Sequence, residues 1–99
     1  MLLTLLIEED MYGYQLSQQI KERSDNDIFF PEGSLYPALY KLTEEGYVTS
    51  YEKKVGKRLR RIYYRIEEKG VEYQKEIVKE YLSLQTGIHK ILFGKEKYE

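Results

Sequence analysis

The stretch Tyr47-Val48-Thr49-Ser50-Tyr51-Glu52-Lys53-Lys54-Val55-Gly56-Lys57-Arg58-Leu59-Arg60-Arg61-Ile62-Tyr63-Tyr64-Arg65-Ile66 decides how the rest of the chain is read. Ile62, Tyr64 and Ile66 alternate with Arg61, Tyr63 and Arg65, and residues 47–51 are rich in strand formers. A period of two on both sides of Val55-Gly56-Lys57 predicts two strands joined by a turn. Residues 53–65 also hold seven bases and no acid: Lys53, Lys54, Lys57, Arg58, Arg60, Arg61 and Arg65. The rest of the chain keeps nine bases against all 17 acids, a net of -8, although the whole chain carries only -1. One positive ribbon on an acidic body creates a local field that the average conceals. A merely solvated hairpin is the plain alternative.

Upstream of the ribbon the period is helical. Leu35, Leu39 and Leu42 are spaced i, i+4, i+7 and predict a third helix with Pro37, Tyr40, Lys41 and Glu44 opposite and Ser34 and Tyr36 on the flanks. Proline lacks an amide proton, which is harmless only in a first turn, so Pro37 places the cap near Gly33 or Ser34, and Gly46 is a natural stop. Tyr12, Leu16 and Ile20 mark one face of a second helix over about residues 12–24. Leu2, Leu3, Leu5, Leu6 and Ile7 form a short first helix ended by Glu8-Glu9-Asp10. Ser24-Asp25-Asn26-Asp27 is a turn; its aspartates start like a calcium loop, but Phe30 stands where that loop needs glycine.

Downstream, Ile77, Tyr81, Leu84, Ile88 and Ile91 are spaced 4, 3, 4, 3, a coiled-coil-like seam on a long helix that Gly87 weakens or bends. A helix of some 25 residues spans about 37 Å, more than so small a domain covers, so the seam implies a second subunit. Three helices followed by a basic ribbon give an α+β, mainly α, fold: a winged helix-turn-helix with three helices and a two-stranded wing over residues 1–66, and a C-terminal dimerisation helix and tail over residues 67–99.

Ninety-nine residues amount to one domain, able to bury roughly 65% of its unfolded surface. The absence of cysteine excludes disulfides, thiol catalysis and thiolate metal sites and fits a reducing, cytoplasmic setting. The apolar start meets acids after seven residues, too soon to span a bilayer. No phosphate loop, nucleophile elbow or metal motif is present, so no catalytic residue, metal or cofactor is expected and the chain is not read as an enzyme. His89, the sole histidine, is expected at a surface or interface and not on a metal.

The order of elements points to double-stranded DNA. A major groove admits one helix, and the third would turn Ser34, Pro37, Tyr40 and Lys41 toward it while the wing neutralises phosphates. A winged-helix protein-interaction module without DNA binding is the alternative, because fold alone does not fix function.

The chain also resembles the PadR-like transcriptional regulators. The likeness lies in Tyr12-Gly13-Tyr14, in the run from Pro31-Glu32-Gly33-Ser34 through Leu35-Tyr36-Pro37-Ala38-Leu39-Tyr40-Lys41-Leu42, in Glu45-Gly46, and in Arg60-Arg61-Ile62-Tyr63-Tyr64-Arg65-Ile66-Glu67-Glu68-Lys69-Gly70. The resemblance implies a homodimer clasped by first and last helices, through Leu2, Leu5 and Leu6 with the seam above, acting as a repressor on a near-palindromic operator. It implies DNA contacts at Tyr14, Ser34, Tyr36 and Lys41 and at the wing bases Lys53, Lys54, Lys57, Arg58, Arg60 and Arg61, with Gly13, Gly33 and Gly70 as backbone positions. Some relatives bind flat aromatic compounds between subunits, which makes Tyr81 a candidate effector contact beside plain interface packing. The chain departs from the family's pattern at Glu67, where threonine is frequent; a glutamate still suits a helix N-terminus.

Overall fold

Leu6, Leu16, Leu35, Leu39 and Val48 are all but sealed from solvent, and Leu2, Leu3, Leu5, Met11 and Ile20 complete the same cluster. These side chains come from every element except the last two in the chain, which fixes how the elements pack. The computed structural model describes residues 1–94. In order the elements are α1 (Leu2–Glu8), β1 (Met11–Tyr12), α2 (Gly13–Arg23), α3 (Glu32–Glu44), β2 (Val48–Val55), β3 (Leu59–Ile66) and α4 (Glu68–Phe93).

The helix-turn-helix unit follows from its caps. α2 ends as Asp25 and Asn26 turn to positive φ (53° and 68°), and the amides of Asp25 and Asn26 close back on the carbonyls of Glu22 and Lys21. Ser24 Oγ accepts the Ile28 amide at 2.9 Å and fixes the turn. α3 stops as expected at Gly46 (φ +80°), where the Gly46 and Tyr47 amides donate to Thr43 and Leu42 carbonyls, a Schellman closure.

Its start differs from the expectation. The cap is Pro31, whose carbonyl accepts the Ser34 and Leu35 amides (3.0 and 2.8 Å), so it precedes the predicted cap at Gly33 or Ser34, α3 begins at Glu32, and Pro37 sits in its second turn. The bond lost there is the one to the Gly33 carbonyl, and because Gly33 is exposed, water can take that carbonyl. α2 likewise begins at Gly13: Tyr12 belongs to a strand and does not extend the Leu16 and Ile20 face.

That strand makes the sheet three-stranded, in the order β1-β3-β2, all antiparallel, where the sequence predicted two strands. Val48 pairs with Ile66, Ser50 with Tyr64, and Met11 with Tyr64 on the β1 side. Pleating sends that set to one face, and the burial of Val48 and Met11 shows that this inner face lies on the helices. Thr49 and Arg65, Tyr51 and Tyr63, Lys53 and Arg61 share the opposite, outer face, with Tyr12 beside Tyr63.

α4 is joined to the sheet through one close approach. A Cβ on Gly70 would lie 2.2 Å from the Tyr47 carbonyl oxygen, so only glycine fits. Tyr47 and Tyr73 stack at 4.2 Å, and Lys69 Nζ donates to the Glu45 carbonyl at the end of α3. Beyond this joint α4 leaves the body. Glu67 stands at its N-cap with no side-chain capping bond, its carboxylate accepting instead from Thr49 Oγ1 at 3.3 Å.

Candidate nucleic-acid interface

Two segments present polar and charged groups without burying them. On α3, Ser34, Pro37 and Lys41 are exposed and Tyr40 is 67% exposed, opposite Leu35 and Leu39 at 1% and 0%. The helical period that seals the leucines turns these four residues outward. Lys41 stands at the edge of a groove between α1, α3 and α4, beside Ala38 and Glu45.

Tyr36 is shared between packing and solvent. It is 46% exposed, yet its hydroxyl lies where a Gly13 Cβ would come within 2.6 Å, so the ring locks the start of α2 against α3. Tyr64 sits close by on the inner sheet face, and burial, with Tyr36 adding to it, raises its phenol above the usual range. Tyr14, one residue beyond Gly13, is 60% exposed. Of the three glycines given a backbone role, Gly13 and Gly70 are required by close contacts, whereas a Cβ on Gly33 would meet nothing within 4 Å.

The wing brings its bases together in two sets. Lys54 faces Arg60 across the hairpin on the inner parity, and Lys53 faces Arg61 on the outer parity, with Lys57 and Arg58 in the turn that Gly56 (φ +80°) closes. Like charges directly opposite repel. Arg60 relieves its pair by reaching Glu52 at 3.2 Å, with side chains 63% and 48% exposed, a pairing of small worth in water. On the outer face Arg61 lies over the Tyr12 ring at 4.3 Å and Lys53 over Tyr63 at 5.2 Å. Arg65 lies over Tyr51 at 5.2 Å and donates from Nε to Asp10 at 3.2 Å. Asp10 also accepts the Tyr51 hydroxyl at 2.7 Å, and that bond holds the phenol above its usual range. Tyr12 stands outside the sequence reading of the site, because the pairing that sets it beside Tyr63 exists only through β1.

The residues assigned to a dimer divide. Ile77, Tyr81, Leu84, Ile88 and Ile91 are 38, 59, 63, 45 and 84% exposed, so the chain itself does not cover the seam. Leu2, Leu5 and Leu6 are 6, 4 and 2% exposed: they are spent on the chain's own core, because α1 turns its leucines inward. What α1 has left to offer a partner is its outer side, with Met1 and Ile7 at 61% and 44% exposure. Tyr81 lines a groove of about 520 Å³ with Leu5, Ile20, Ile28, Ile77 and Val78, and Arg23 also lines it. Among the described residues no helix is long and apolar enough to cross a membrane.

Comparison with known proteins agrees with this geometry. A protein from Lysinibacillus sphaericus is 34% identical over 95 residues, covering 96% of this chain and 87% of its own. The structure of a transcriptional regulator from Clostridium thermocellum superposes with a TM-score of 0.85 at 38% identity, over 95% of this chain and 89% of that one. Bacillus subtilis PadR, solved in complex with operator DNA, superposes with a TM-score of 0.71 at 26% identity, over 77% of this chain and 43% of that one. Residues 2–76 match the transcriptional regulator PadR-like family, and with the three helices, the sheet and the long last helix in place, the chain belongs to that family.

Proposed function

We propose that the chain is a cytoplasmic, homodimeric regulator that binds DNA sequence-specifically and represses transcription from a near-palindromic operator. The observation that carries this reading is the pairing of an exposed, polar and aromatic α3 face with a hairpin that gathers six bases at and near its tip. α3 has the width of a major groove, and Ser34, Pro37, Tyr40 and Lys41 are the side chains it would bring to base edges and backbone, with Tyr14 and Tyr36 at its margin. Lys53, Lys54, Lys57, Arg58, Arg60 and Arg61 would neutralise phosphates and release counterions. The uncovered seam of α4 supports a two-fold partner, and a two-fold protein calls for a matching repeat in its site. The groove beside Tyr81 is the place proposed for a flat aromatic effector.

A mobility-shift titration with DNA from upstream of the chain's own gene, at two salt concentrations, tests the reading. Specific retardation that weakens steeply with salt is expected, and Lys41→Ala should weaken it further. No specific retardation at low salt would overturn the proposal and favour a protein-binding role for the same surface.

A further inference from the structure

We infer that the outer face of the sheet is a second anion-binding surface, built to hold the phosphate backbone of duplex flanking the segment that α3 reads; this rests on the DNA-binding reading above. The sheet separates its bases by parity. Val48, Tyr64 and Ile66 point to the helices, so Lys54 and Arg60, further along the same parity, project on the α3 side, while Lys53, Arg61 and Arg65 project on the other. α3 cannot share a single groove with that far side.

The outer face is ordered as well as charged. Tyr12, Tyr63 and Tyr51 form one row across all three strands, Tyr12 edge-on to Tyr63 at 5.4 Å and Tyr51 stacked on Tyr63 at 5.8 Å. Each ring carries the cation from the diagonal position of the neighbouring strand: Arg61 on Tyr12, Lys53 on Tyr63, Arg65 on Tyr51. Ring faces covered by cations are closed to bases, so the surface recognises charge and not sequence. Holding the cations on rings also lowers the side-chain entropy lost on binding. The acids facing this array are few: Asp10 takes one of the five donors of Arg65, and Glu67 at the body end is engaged by Thr49.

Charge complementarity and continuity select the occupant. Arg61 and Arg65 lie four residues apart on β3, about 13 Å, in a line that begins at the wing tip and runs toward the body. A duplex held at the tip continues past it, and its backbone is the nearest extended polyanion.

The test uses the full chain and the DNA of the titration above, once trimmed to the shortest duplex that is still specifically retarded and once extended by about one helical turn on each side. The wild type is expected to bind the extended duplex more tightly and with a steeper salt dependence. Arg65→Gln should leave the trimmed duplex unaffected and reduce the log-log salt slope on the extended one by roughly 1.8, one phosphate from each of two subunits. Arg65→Lys should restore the slope. Equal binding of both lengths by the wild type overturns the inference, as does a length effect that survives Arg65→Gln. Loss of binding to both lengths by the wild type would instead strike the DNA-binding reading itself.

Discussion

α1 and α4 treat their apolar side chains in opposite ways. α1 has seven residues and buries Leu2, Leu3, Leu5 and Leu6; α4 has 26 and buries only Gly70. Both carry aliphatic residues at helical spacing, so composition does not separate them. The difference lies in what faces each stripe. α1 is wedged between α2, α4 and β3, whereas α4 touches the body through its first turns and then runs free with Ile77, Tyr81, Leu84, Ile88 and Ile91 uncovered. A stripe that finds its partner within the chain makes a core, and one that outruns the chain is left uncovered.

The largest expected effect breaks that comparison directly. Leu6→Ala should cost about 2–5 kcal/mol, a large share of the stability of a small domain. Ile91→Ala, at a residue 84% exposed in the single chain, should leave the stability of the diluted chain nearly unchanged and make the unfolding midpoint less dependent on protein concentration. Urea titrations at two concentrations read both; equal losses at high dilution would erase the distinction. A smaller effect contrasts the two ends of α4. Gly70→Ala should destabilise by about 1–3 kcal/mol, because its Cβ meets the Tyr47 carbonyl. Gly87→Ala, with nothing within 4 Å, should stabilise by about 0.5–1 kcal/mol, and calorimetry showing the same sign for both would refute the account of the joint.

The smallest effect concerns how α1 is pinned to α2. Arg23 donates to both carboxylate oxygens of Glu8 at 2.6 Å, and these hydrogen bonds hold the Glu8 pKa below its ordinary value. The folded-state pKa is depressed, so the contribution is present above the unfolded-state pKa and disappears as pH falls through the folded one. Both side chains are nearly half exposed, so the contribution is small. Arg23→Ala should therefore lower Tm slightly at neutral pH, with the gap to wild type closing in acid; a gap constant with pH would remove the pair from the acid limb.

Most of the frame was legible because it rests on periods. The Leu35, Leu39, Leu42 face, the stop at Gly46, the hairpin turn at Gly56 and the length of α4 all follow from spacing and from what glycine permits. β1 was not legible: a two-residue strand has no period, and it exists only because Met11 and Tyr12 find a free edge on β3. α3 starts earlier than an interior proline's missing amide predicts, because the exposed Gly33 admits solvent to the carbonyl that Pro37 leaves unpaired. Among the candidate site residues, exposure of the α3 face and the wing followed from the pattern. The burial of Leu2, Leu5 and Leu6 did not, since seven residues cannot show which of two neighbours, intrachain or external, will cover them. The division of the wing bases between two faces needed the strand register, which sequence alternation fixes only when one strand is anchored to the core.

The facing bases of the hairpin, Lys53 with Arg61 and Lys54 with Arg60, give ionic strength two opposed effects on one element. In the role proposed for the wing, dissolved ions would compete with it for a polyanion and loosen its grip, yet the same ions screen the repulsion between the two strands and firm the ribbon itself. The end of the wing is therefore least relaxed in dilute buffer without a ligand, and an anion laid along it acts as a clasp as well as a target.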